Sequence, residues 1–308
     1  MKRLKKILLV LLSVPVILIT VFYLWIFVLS DMFKKELTAA ERKNTDGKLA
    51  RLECGTTWYE TTGPDNGDII VFVHGATIPA VTWDANFSNL AAAGFKVIRY
   101  DALGRGLSDR PATNYTAELF TAQLKQLLTF LNIKQKINLC SLSFGGPVTA
   151  AFSHAFPQTV RKIIMIAPAA YSLKKPGLGE TLSHIGWILA RYCSEDKNHA
   201  LYKKKLAELS DKMAFQFAYK GIAPAGYSLI KYRNEQQTAR AFRFLGETGI
   251  PVLLIWGTDD PVVKFSLHQA VLKAVPQARL IPVPRGGHIP HYMFPQLVNK
   301  KISTFLRN

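Results

Sequence analysis

Apolar positions in this chain follow two regimes. From Ile7 to Ser30 they are nearly continuous, 24 residues without a charge (ILLVLLSVPVILITVFYLWIFVLS). A helix needs about 20 such residues to cross a bilayer core. From residue 49 onward, short apolar runs alternate with segments of helical spacing. Leu49–Thr61 reads as a first strand or hairpin. Ile69–Val73 (IIVFV), Lys96–Tyr100, Ile137–Cys140, Lys162–Ala167, Val252–Trp256 and Arg279–Val283 read as strands, the fully apolar ones buried on both faces. Trp83–Ala93, Thr116–Leu131, Gly145–Phe156, Ser266–Val275 and Pro295–Leu306 read as the helices between them. Repeated strand–helix units predict an α/β fold, a mostly parallel sheet with helices on both faces. Residues 169–248 break the alternation, with helical pieces at Leu182–Arg191 and Leu201–Ala218. That block reads as a helical cap inserted into one domain spanning 49–308.

Lys2, Arg3, Lys5 and Lys6 precede the first apolar run, whereas Lys34 and Lys35 after it are offset by Asp31 and Glu36. This asymmetry places the N-terminus in the cytoplasm and the rest on the outer (periplasmic or extracellular) side. The alternative is a cleaved signal peptide, whose apolar stretch spans only ~7–15 residues and ends in small residues. Here the run ends in Trp25-Ile26-Phe27-Val28-Leu29 with no such site. The expectation is an uncleaved single-pass anchor over 1–30, with a polar juxtamembrane linker over 31–48.

Composition narrows the partners. Apolar residues are 49% and charged residues 19%, a globular profile. The net charge of +18 favours anionic partners. No zinc-finger spacing and no RNA-binding motif accompanies it, so no nucleic acid is expected. Beside a membrane span, anionic lipid is the fitting partner, although a basic surface that is merely solvated accounts for the charge as well. Cys54, Cys140 and Cys193 form neither a metal motif nor a disulfide framework. Cys140 lies in an apolar strand as an inert thiol, and whether Cys54 and Cys193 pair stays open.

Three segments carry chemistry, and each falls at a strand end, where open parallel sheets build their sites. Cys140-Ser141-Leu142-Ser143-Phe144-Gly145-Gly146 follows a strand and opens a helix. A nucleophile elbow needs a serine on a sharp turn with small residues two positions either side. Gly145 and Ser141 fill those positions around Ser143. A frame with Ser141 as nucleophile puts Leu139 at the first small position and fits poorly, and a plain Ser-Gly turn capping a helix is the bland reading. His74-Gly75-Ala76 ends the IIVFV strand. A hydrolase needs backbone N–H donors for its oxyanion, one from the loop here and one from the residue after the nucleophile. Those donors are Ala76 and Phe144, with His74 structural. Late in the chain, Gly257-Thr258-Asp259-Asp260-Pro261 ends one strand and Arg285-Gly286-Gly287-His288-Ile289-Pro290-His291 follows the next. Chain order is then Ser, Asp, His. Asp259 and Asp260 compete as the acid, and His288 and His291 as the base. The Gly-Gly before His288 favours His288.

With these segments in order, the sequence resembles the α/β-hydrolase superfamily, specifically its capped serine hydrolases: esterases, monoacylglycerol lipases and carbon–carbon bond hydrolases of aromatic breakdown. The matching motifs include the Asp101-Ala102-Leu103-Gly104-Arg105-Gly106-Leu107-Ser108 run, whose Asp101 and Arg105 the resemblance makes scaffold. The fourth residue of Gly-x-x-Asp, the family's acid, falls on Asp260, and its base on His288. Ser141 departs from the usual glycine, and Met293 and Phe294 from a frequent Glu. A serine nucleophile argues against the epoxide hydrolases and haloalkane dehalogenases of this fold, which use aspartate. No cofactor or metal is implied. The expected function is a membrane-anchored serine hydrolase of carboxylic esters, possible substrates being acylglycerols or other lipid esters. The alternatives are a carbon–carbon hydrolase of a dienoate and an inactive hydrolase fold acting as a binding module. Cap aromatics such as Trp187, Phe215 and Phe217 are either cap core or the lining of an acyl pocket.

Overall fold

A computed structural model describes residues 34–42, 45–169, 197–232 and 235–308. The apolar run Ile7–Ser30, the cap piece Leu182–Arg191 and Cys193 lie outside them. Among the described residues, no helix is long and apolar enough to cross a membrane.

Eight strands form one sheet: β1 (Lys48–Leu52), β2 (Gly55–Thr62), β3 (Ile69–Val73), β4 (Lys96–Tyr100), β5 (Ile137–Leu142), β6 (Val160–Ile166), β7 (Val252–Gly257) and β8 (Ala278–Val283). Their order is β1-β2-β4-β3-β5-β6-β7-β8. β1 and β2 are the expected hairpin and pair antiparallel, as do β2 and β4; every later neighbour is parallel. Alternate residues of a strand face opposite sides. In β3, Ile69, Val71 and Val73 enter one apolar cluster, while Ile70 and Phe72 enter the cluster on the other face. β7 divides likewise, with Leu254 and Trp256 on one side and Leu253 and Ile255 on the other. Covering both faces is why these strands read as unbroken apolar runs.

The covering helices are α1 (Asp84–Ala92), α2 (Ala117–Phe130), α3 (Gly145–Ala155), α4 (Lys197–Ala214), α5 (Ile222–Lys231), α6 (Glu235–Glu247), α7 (His268–Ala274) and α8 (Pro295–Arg307). Thr116 caps α2, its hydroxyl accepting from the Leu119 N–H. The cap expectation of 169–248 extends too far. Helix α6 buries Ala241, Phe242 and Leu245 in the cluster that holds Val148, Ala150 and Phe152 of α3. Its Phe244 ring lies 4.2 Å from the His154 ring of α3, tilted by 47°. It therefore belongs to the layer on the sheet, leaving α4 and α5 to the cap: Ala225 and Leu229 of α5 enter this same cluster, and Tyr202 and Leu209 of α4 enter the one on the opposite face.

Described residues of the expected linker pack on the domain. Lys35 forms a parallel bridge with Tyr219: its N–H bonds the Ala218 carbonyl at 3.0 Å, and its own carbonyl takes the Lys220 N–H at 2.9 Å. Arg42 meets Asp109 at 2.5 Å, and the Trp58 indole donates to Thr45 at 3.1 Å.

Two buried histidines fasten loops to this frame. His74, just past β3, accepts the Ala102 N–H on Nε2 at 2.8 Å, so its proton sits on Nδ1, which donates to the Gly75 carbonyl at 2.7 Å. His291 is fully buried against Trp83, with Nε2 3.1 Å from the Thr82 hydroxyl. Burial pushes His74 down to about 4 and His291 down to about 3. Below the ordinary histidine range the unfolded chain then binds more protons than the folded one, so both groups cost stability as pH falls. Asp101, raised to about 6 by burial, runs the other way, and a variant is needed to isolate one group. His291→Asn should flatten the urea-unfolding difference between pH 7.5 and pH 5 by about 2 kcal/mol relative to wild type. An unchanged difference would show that His291 is not held neutral.

Candidate active site

The strand register gathers the chemical segments at one end of the sheet. Val73 lies beside Ser141, Leu142 beside Ile166, and Gly257 beside Val283. Residues immediately past these positions share the carboxyl edge.

Ser143 occupies the two-residue turn between β5 and α3, with φ of 52°. That left-handed backbone is costly for a residue with a side chain, and neighbouring bonds hold it. The Ser143 N–H donates to the Ile166 carbonyl at 2.9 Å, and its carbonyl accepts from Gly146 and Ala169, each at 2.9 Å. A Cβ on Gly145 would sit 2.4 Å from the Val73 carbonyl oxygen, so only glycine lets α3 start this close to β3. Ser141 is fully buried and its hydroxyl donates to the Ile164 carbonyl at 3.3 Å. The departure from glycine is absorbed by that bond, and Ser141 has no access to a substrate.

His288 and Asp260 are brought together. The imidazole Nδ1 lies 2.8 Å from Asp260 Oδ2. The other oxygen, Oδ1, accepts the Val262 and Val263 N–H groups at 2.7 and 2.9 Å. An ionised carboxylate only accepts, so Nδ1 carries the proton and Nε2 is left as a base. Asp259 holds the same loop differently, accepting the Gly287 N–H at 2.9 Å. The competition between the two acids thus resolves into two jobs: Asp260 on the ring, Asp259 on the backbone. His291, buried and held neutral, is not placed to act as a base. The Ser143 hydroxyl makes no hydrogen bond to His288 among the described residues; such contacts often tighten only around a substrate.

The loop after β3 faces the elbow. A Cβ on Gly75 would lie 3.4 Å from that of Ser143. Gly75, Ala76 and Phe144 line a small cavity with Tyr100, Phe120 and Val148. The N–H groups of Ala76 and Phe144 have no hydrogen-bond acceptor among the described residues.

Scaffold residues complete the site. Buried Asp101 accepts the Ala80 N–H at 2.7 Å and the Leu107 N–H at 2.8 Å. Arg105, also buried, donates through Nε to the Ala76 carbonyl and through a terminal nitrogen to Gly104 O at 2.8 Å. Its guanidinium is pushed down to about 10, chiefly by burial. Sequence reasoning missed Tyr202 of α4, whose hydroxyl takes the His288 N–H at 3.5 Å, and Gln216, just after α4, which donates to the Thr77 carbonyl. Nothing in the helical pattern distinguishes either from cap packing. Among the described residues no group of three or more His, Cys, Asp or Glu could hold a metal.

Comparison with known proteins agrees with this frame. The chain is 27% identical over 290 residues to a 2-hydroxy-6-oxononadienedioate/2-hydroxy-6-oxononatrienedioate hydrolase from Cupriavidus pinatubonensis, covering 85% of this chain and 95% of that protein. It is 24% identical over 266 residues to Lipase 1 of Psychrobacter immobilis, covering 81% of each. A thermophilic esterase from Thermogutta terrifontis superposes with a TM-score of 0.66 at 21% identity, over 85% of this chain and 98% of that one, which shows a shared fold. Residues 70–300 match the alpha/beta hydrolase family as a whole, and the chain belongs to that family.

Proposed function

We propose that this chain is a serine hydrolase cleaving carboxylic esters through an acyl-enzyme. The observation that carries it is the Nδ1-anchored His288 on Asp260, at the same sheet edge as the left-handed Ser143. In this reading His288 Nε2 takes the Ser143 proton as Oγ attacks the ester carbonyl. The oxyanion turns toward the N–H groups of Ala76 and Phe144. Collapse expels the alcohol, which takes the proton from His288. Water, deprotonated by the same imidazole, then attacks the acyl-Ser143 and releases the acid. No step calls for a cofactor.

The N-terminal anchor is part of the proposal: residues 7–30 span a membrane with the catalytic domain outside, and lipid esters such as acylglycerols are the substrates. The uncharged run and its flanking cations support this. The Lys35–Tyr219 bridge supports it as well, because it ties the chain leaving that run to the cap. Tethering raises the local concentration of substrates lying in the same bilayer. The Cupriavidus relative favours a second reading, hydrolysis of a carbon–carbon bond in a dienoate.

Ser143→Ala should lower turnover of p-nitrophenyl esters by about 10⁴-fold or more, and a fluorophosphonate probe should label wild type but not this variant. Labelling absent from wild type would point instead to an inactive binding module. A dienoate hydrolysed faster than any ester by the same preparation would favour the second reading. Asp260→Asn should cost about 10⁴-fold in kcat by losing the required tautomer. Asp259→Ala should cost about tenfold or less, with roughly 1 kcal/mol of stability from the lost loop bond; equal losses at both positions would refute the division of labour. Alkaline carbonate should leave the full chain in the membrane pellet, whereas release into the supernatant would sink the anchor.

A further inference from the structure

Three successive carbonyls of the loop after β3 are each gripped by a different buried side chain. His74 Nδ1–H holds Gly75 O at 2.7 Å, Arg105 Nε–H holds Ala76 O, and Gln216 Nε2–H holds Thr77 O at 3.0 Å. The first two donors sit on loops at the sheet edge. Gln216 comes from the cap, in the short 3-10 turn Phe215–Ala218 that follows α4. Its other end accepts the Gly106 N–H at 3.1 Å, one residue past Arg105. A carbonyl can only accept and an amide N–H can only donate, so the two partners fix which way the Gln216 amide points.

The burial pattern of this turn is inverted. Gln216 is 0% exposed, yet its neighbours Phe215 and Phe217 are 40% and 48% exposed. A turn that needed only apolar packing would point an aromatic inward and leave the amide in water. Here the amide occupies the interior, with both ends bonded to the loops that shape the oxyanion site.

Peptide geometry connects this grip to chemistry. In a trans peptide the C=O of Gly75 and the N–H of Ala76 point in opposite directions. Holding the carbonyl therefore aims the N–H. The next two peptide units, gripped by Arg105 and Gln216, set the rotation of the one before. Gln216 also steadies Gly106 and, through it, the backbone that presents Arg105. We propose that Gln216 is a positioning residue for the oxyanion hole: by clamping Thr77 and Gly106 it keeps the Ala76 N–H aimed at the developing charge, and it makes the competence of the site depend on cap docking. This rests on the serine-hydrolase reading of Ser143.

The test uses the full chain and two variants, with rates normalised to the Ser143 sites labelled by a fluorophosphonate. Gln216→Glu keeps the size and the acceptor for Gly106 but loses the donor for Thr77. Gln216→Leu loses both. With p-nitrophenyl butyrate, kcat per labelled site should fall about tenfold for Gln216→Glu and up to about a hundredfold for Gln216→Leu, as small misplacements of reacting groups do. KM should stay within about twofold. Inhibition by a trifluoromethyl ketone, whose tetrahedral adduct carries the oxyanion, should weaken by the same factor as kcat/KM. A residue that only packed the cap would reduce the number of labelled sites while each remaining site turned over normally. Should Gln216→Leu fail to fold, Gln216→Glu decides alone. Wild-type turnover per labelled site in Gln216→Glu, with unchanged inhibition, overturns this inference and leaves the hydrolase reading intact. Wild type that takes no label sinks both.

Discussion

The close approach of α3 to β3 governs everything at this sheet edge. Helix α3 begins with Gly145 against the carbonyl of Val73, a contact that admits no side chain. That approach forces the chain to reverse within two residues of β5, and Ser143 takes the left-handed backbone that the reversal requires. Such a conformation costs on the order of 1–2 kcal/mol and persists only where the surroundings over-determine it. Three backbone bonds from β6, α3 and the following loop do so here. The serine that breaks the local rule is thus held by the fold around it.

Around it, polar groups are divided by task rather than shared. Neighbouring carboxylates at 259 and 260 take the backbone and the ring of one loop. Two histidines, 74 and 291, are buried as neutral fasteners, whereas His288 is seated on a carboxylate. The separation follows from burial. A buried imidazole without an anionic partner is held uncharged, whereas one resting on a buried carboxylate has its tautomer fixed and its second nitrogen left to act.

Much of this was legible in the sequence because the signals were local. Doubly buried strands appear as apolar runs such as IIVFV, and their ends set where Ser143, Asp260 and His288 would meet. Gly145 marked a close approach that the structure contains. What escaped depended on contacts distant in sequence. Helix α6 has the same amphipathic look whether it caps the sheet or covers it; only its pairing with α3 decides. Between Asp259 and Asp260 the residues alone left the choice open and the resemblance gave Asp260, the carboxylate that lies on a ring 28 residues away. Gln216 left no trace in the pattern, because a single inward amide between exposed aromatics looks like ordinary helix-end polarity.

The bridge between Lys35 and Tyr219 sets a leash length. Lys35, which is fastened to the cap, lies five residue steps beyond Ser30, where the apolar run ends. Fully extended, that stretch reaches at most roughly 17 Å. If the run lies in a bilayer as proposed, the point where Lys35 joins the cap stays within roughly 17 Å of the end of the run, and the cap cannot swing away without breaking the bridge. Its search for substrate then becomes two-dimensional, a patrol along the leaflet in which surface density of the ester, more than its concentration in solution, sets the rate of encounter.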